Sequence, residues 1–96
     1  MSDEKQRLHL KIVTPNGQAA ALECGSVRLC IPDDAAGENG GWLGIRPGHE
    51  DALLAVAEGV LQAVTEEKNV TIRTAAGFAF VEKNTVMVMT DHAEIQ

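Results

Sequence analysis

Glu50-Asp51-Ala52-Leu53-Leu54-Ala55-Val56-Ala57-Glu58-Gly59-Val60-Leu61-Gln62-Ala63-Val64-Thr65-Glu66-Glu67 decides the fold class of this chain. Leu53, Val56, Ala57, Val60, Leu61 and Val64 recur at helical spacing, with Asp51 available as a cap and Lys68 as a stop. Gly59 interrupts that pattern, where a helix loses about 1 kcal/mol relative to alanine. Split at Gly59, the same residues form a short apolar piece and a strand from Val60 to Thr65. Periodicity alone leans to helix, and the flanking sequence bears on the choice.

On the N-terminal side, Leu8-His9-Leu10-Lys11-Ile12-Val13-Thr14 alternates apolar with polar and ends in the turn Pro15-Asn16-Gly17. Gln18 to Glu23 is a weaker, alanine-rich strand. Val27-Arg28-Leu29-Cys30-Ile31 alternates again and stops at Pro32, with Val27, Leu29 and Ile31 inward. On the C-terminal side, Val70-Thr71-Ile72-Arg73-Thr74, Phe78-Ala79-Phe80-Val81-Glu82 and Thr85-Val86-Met87-Val88-Met89-Thr90 are strands. Lys83-Asn84 is a tight turn between the last two, and Asp91 to Gln96 reads as a short polar tail. Short strands with turns at regular spacing point to an all-β sandwich or barrel. Leu10, Ile12, Val27, Leu29, Ile31, Leu61, Ile72 and Val88 are the expected core.

Composition sets further bounds. Ninety-six residues make one domain. Its hydrophobic share of 45% and charged share of 23% are those of a globular protein. Residues 1–6 form a polar lead-in expected to be disordered, without the apolar stretch of a signal peptide. No apolar run approaches the roughly 20 residues of a membrane helix. A net charge of −6 and only three aromatic residues, Trp42, Phe78 and Phe80, argue against nucleic-acid binding.

Candidate chemistry is sparse. Cys24 and Cys30 match no zinc spacing and read as half-buried apolar residues in or near strands. The acids of Asp33 to Gly41 lack the calcium-loop pattern, and no phosphate-cradling lysine follows the glycines. His9, His49 and His92 are scattered and no nucleophile motif is present, so catalytic and metal sites are both expected to be absent. Trp42-Leu43-Gly44-Ile45-Arg46-Pro47-Gly48-His49 is the most distinctive stretch. Pro47-Gly48 suits the centre of a type II turn, and Trp42 reads as a lid on the core.

Leu43-Gly44-Ile45-Arg46-Pro47-Gly48-His49 resembles the LGI-x-PGH signature of the epsilon subunit of rotary F-type ATP synthases. Four further segments match that family in order. They are Leu10 to Pro15, Glu58 to Leu61, Ala76 to Val81, and Asn84 to Glu94 with its D-x-AE ending. The resemblance implies one epsilon-type domain over residues 7–96, a flattened sandwich of about ten short strands. It therefore implies strands through Ala52 to Val64, with Leu61 and Ala63 facing the core.

The resemblance further implies a non-catalytic rotor subunit in the central stalk, peripheral on the cytoplasmic face of the membrane without inserting into it. That subunit binds gamma, touches the c-ring and helps couple ion flow to ATP synthesis. By position, Thr14 and His49 match the gamma side, and Gly41 and Trp42 match the tip that meets the c-ring. This chain departs from the family in having Trp42 where an acid is usual, and in a longer Asp33 to Gly41 loop. The family's C-terminal helical hairpin, which brakes hydrolysis and in some members binds ATP, would follow Gln96. The expectation is thus no ATP binding and no cofactor. The alternative is a stand-alone β-sandwich adaptor with no rotary partner.

Overall fold

The computed structural model describes residues 7–32 and 41–96. The lead-in 1–6 and the acidic loop 33–40 lie outside the described residues. Ten strands are formed: β1 (Leu8–Thr14), β2 (Gly17–Cys24), β3 (Ser26–Ile31), β4 (Gly41–Ile45), β5 (Ala52–Val56), β6 (Gly59–Val64), β7 (Asn69–Thr74), β8 (Gly77–Glu82), β9 (Thr85–Thr90) and β10 (Ala93–Ile95). They build two five-stranded sheets, ordered β2-β1-β9-β8-β5 and β10-β7-β6-β3-β4. Every neighbouring pair is antiparallel except β1 with β9.

The segment from Ala52 to Val64 is strand, and the helical spacing is overridden. Gly59 opens β6, so the apolar run is shared between strands in different sheets. Val56, Leu61 and Ala63 are buried, and Leu54 packs against them. The crossing is fixed where the Ala57 N–H donates to the Cys30 carbonyl at 2.9 Å.

Alternation places the core. Leu8, Leu10 and Ile12 of β1, Val27 and Leu29 of β3, Ile72 of β7 and Val86 and Val88 of β9 are fully buried between the sheets. One expected core residue falls short: Ile31 is only half-buried. It ends β3 opposite Gly41, which has no side chain to cover it. Two other readings are corrected. Trp42 is 54% exposed rather than a lid, because Leu43 and Ile45 take the inward positions of β4 and leave Trp42 outside. The tail is not free, since Ala93–Ile95 pairs with β7 as an edge strand.

Two turns set the registers. Gly48 has φ +87°, and the His49 N–H donates to the Arg46 carbonyl at 3.1 Å, the expected type II reversal. Lys83 and Asn84 both have positive φ, 50° and 64°, the signature of a type I′ hairpin turn. Asn84 also ties in its neighbours. Its carbonyl accepts from the His9 N–H and its Oδ1 from the Gly48 N–H, each at 2.8 Å. At the other end the chain passes out of β7 into Ala75 and out of β9 after Thr90. There the buried Thr90 hydroxyl donates to the Ala75 carbonyl at 2.9 Å. Gly77 beside it approaches β9 so closely that a Cβ would collide with the Met89 carbonyl oxygen.

Leu29→Ala should cost about 2–5 kcal/mol in urea unfolding, the usual cavity penalty. Asn84→Ala should cost about 1–3 kcal/mol, from the left-handed conformation and the lost Gly48 bond. Retained stability in the first variant would mean that Leu29 points away from the core.

Candidate functional site

Strand alternation gives the first sheet two faces, and the outer one is unusual. Its cross-strand rows follow from the register. One row runs Gln18, Val13, Met89, Phe78, Ala55, and the next runs Ala21, Lys11, Met87, Phe80, Leu53. Leu53 is 63% exposed, Phe78 55%, Phe80 46% and Met89 42%. These are four of the six large apolar side chains exposed among the described residues, and all four share one face. Single exposed apolar residues need no explanation, but a contiguous patch of them marks an interaction surface.

The inward partners in the same strands are smaller: Ala79, Val81, Val86 and Val88. These two strands thus turn their compact residues to the core and their bulky ones to the outside. Lys11 is the one charged side chain within the two rows. The next row is polar, with His9 beside Glu23 at 3.7 Å, then Thr85 and Glu82. The patch is therefore bounded, apolar in the middle and polar at one rim, as interfaces commonly are.

The structure separates the residues singled out in the sequence. Thr14 is half-buried at the end of β1, its hydroxyl donating to the Gly17 carbonyl and accepting from the Asn16 N–H, both at 3.2 Å. It adjoins the patch, lining a groove of about 470 Å³ with Val13, Phe78 and Met89. His49 lies at the opposite end of the sheet, next to Gly48 and hence to the Lys83–Asn84 turn. Its Nδ1–H donates to the Glu50 carbonyl at 2.7 Å. Gly41 opens β4 and Trp42 follows it on the outer face, both in the edge strand of the second sheet.

The apolar face was not found by sequence reasoning, although its signal is present. Large residues at 78, 80, 87 and 89 share one strand parity, and small ones fill the other.

Among the described residues no three His, Cys, Asp or Glu side chains converge to hold a metal. Cys24 is buried, and burial pushes its thiol up, outweighing a backbone hydrogen bond from Ser26 that acts the other way. Cys30 is half-buried, its thiol donating to the Val60 carbonyl at 3.5 Å. Among the described residues no helix is long and apolar enough to cross a membrane.

Comparison with known proteins adds the family. The family model described as the ATP synthase delta/epsilon chain β-sandwich domain matches residues 7–96. The ATP synthase epsilon chain of Lawsonia intracellularis is 37% identical over 90 residues, covering 94% of this chain and 62% of the relative. That of Synechococcus sp. strain JA-2-3B'a(2-13) is 37% identical over 87 residues, covering 91% and 58%. The chain thus spans about six tenths of the length of these curated relatives. Among solved structures, a chain of the Euglena gracilis mitochondrial ATP synthase, in a structure of its OSCP, F1 and c-ring, superposes with a TM-score of 0.78. It is 19% identical, with 99% of this chain and 58% of that one covered. A chain from the central stalk and c-ring of the Tetrahymena thermophila enzyme gives a TM-score of 0.66 at 13% identity, covering 95% and 68%. At these identities the structural likeness speaks for the fold.

Phe78→Ser and Phe80→Ser should each leave the unfolding free energy within about 1 kcal/mol of the parent, since only cross-strand contacts are lost. A larger loss would show these rings to be core. Thiol labelling of the folded chain should modify Cys24 far more slowly than in denaturant. Equal rates would place Cys24 at the surface.

Proposed function

The chain belongs to the ATP synthase delta/epsilon chain β-sandwich family, and we propose that it serves as a non-catalytic rotor subunit of the central stalk. On this reading the outer face of the first sheet docks onto the gamma subunit. Gly41 and Trp42, at the edge of the second sheet, meet the c-ring. The domain then acts as a rigid adaptor that turns with both and helps couple ion flow to ATP synthesis. It sits peripherally at the cytoplasmic face of the membrane.

The single observation that carries the reading is the apolar face formed by Leu53, Phe78, Phe80, Met87 and Met89. Burial of such side chains is worth about 1.5–3 kcal/mol each. Docking a flat, ordered sheet also orders little backbone, which keeps the cost of association low. A torque-bearing joint requires this stiffness, and two sheets around one core supply it.

Thr14 enters the proposal as the end of that face. His49, at the far end beside the Lys83–Asn84 turn, enters only as its rim. A free-standing adaptor is the less favoured reading, because the family match runs through the entire sandwich. No described grouping of side chains recommends a catalytic role.

Phe80→Glu should weaken binding to the purified gamma subunit by about 10- to 1000-fold, the effect of burying an unpaired charge at an interface. Arg73→Glu, on the outer face of the second sheet, should leave it unchanged. Titration calorimetry with both folded variants checks this, and the reverse pattern would move the gamma site to the other sheet.

A further inference from the structure

The groove at the end of the apolar face has a chemistry of its own. It lies where the Thr14-Pro15 corner faces the start of β8 and the end of β9, and it has a volume of about 470 Å³. Val13, Phe78 and Met89 make its walls apolar. Its two threonine hydroxyls are already committed, Thr14 to the Gly17 carbonyl and Thr90 to the Ala75 carbonyl. Asp91 completes the lining, and its carboxylate has no hydrogen-bond or ion-pair partner among the described residues. The groove is shallow and offers no convergent set of polar groups, so a small-molecule ligand is a poor fit.

We propose that this groove receives an arginine side chain from the gamma subunit, with its guanidinium on the Asp91 carboxylate and its stem along Phe78 and Met89. The inference rests on the docking of the apolar face described above. Once a partner covers that face, Asp91 at its end is drawn out of water. A carboxylate so placed is costly unless a cation pairs with it. Lys11, the other charge on the face, has a long stem that can carry its head to the rim, whereas the short Asp91 side chain cannot follow water out. Arginine fits better than lysine, because its planar guanidinium can pair with a carboxylate while lying on an aromatic ring. The chain's net charge of −6 acts in the same direction, favouring a cationic partner surface.

The test uses the whole chain and the purified gamma subunit, with affinities measured at low and high salt. Asp91→Asn should weaken binding about tenfold and make the salt dependence shallower, as expected for loss of a charge-assisted pair. Its thermal midpoint should not move, since the carboxylate makes no bond to any of the described residues. Asp91→Lys should weaken binding further, and one gamma arginine, changed to Asp, should restore it. If Phe80→Glu weakens binding but Asp91→Asn binds as the parent does, with the same salt dependence, the arginine pairing is overturned and the docking face stands. If neither variant affects binding, the docking face and the pairing are both overturned. If Asp91→Asn lowers the midpoint and leaves the salt dependence unaltered, Asp91 is structural and the pairing is overturned.

Discussion

The hairpin at Lys83–Asn84 is the constraint on which the rest of the structure depends. With both residues at positive φ, the turn closes in two residues and sets Glu82 opposite Thr85. That register places Phe80 across from Met87 and Phe78 across from Met89. A slip of one residue would turn a whole strand over, sending its large side chains inward and its core residues to solvent. The same asparagine holds β1 through its carbonyl and the β4–β5 connection through its side chain. One residue thus fixes three segments at one end of the sandwich.

From that register comes a division of labour between the two faces of the first sheet. In β8 and β9 the inward face carries only alanine and valine, and with Leu8, Leu10 and Ile12 of β1 it packs on the second sheet. The outward face holds phenylalanine, methionine and leucine, which gain nothing from the isolated fold. Keeping such residues outside carries a risk of aggregation, and a chain retains them where a partner covers them. The proposed role in a rotating stalk calls for such a surface: apolar in the middle, with charges at its margin to fix orientation.

Much of the fold was legible in the sequence. Strict alternation in Leu8–Thr14 and Val27–Ile31, and the β-branched run at Val70–Thr74, gave strand positions and inward faces. The 52–64 segment was not legible from periodicity, because alanine and leucine satisfy a helical and an alternating pattern together. Its resemblance to a known family decided it. β10 was missed because it is only three residues long, too short to show an alternation, and its pairing with β7 is non-local. Trp42 was misplaced because Gly44 leaves the parity of β4 without a second outward side chain to read. The apolar outer face was hidden for a related reason: Phe78 to Val81 and Val86 to Met89 are apolar in both parities and resemble strands buried on both sides. That Thr14 and His49 lie at opposite ends of one sheet depends on the β1–β9 pairing, which no local pattern encodes.

Methyl NMR on methionine-labelled chain tests the central claim most directly. The protein has three methionines, and two of them, Met87 and Met89, stand on the outer face of the first sheet. On addition of the gamma subunit, the Met87 and Met89 methyl signals should both shift, and saturation applied to gamma should transfer to them. A complex that forms while both signals keep their free positions and receive no transfer would contradict the account.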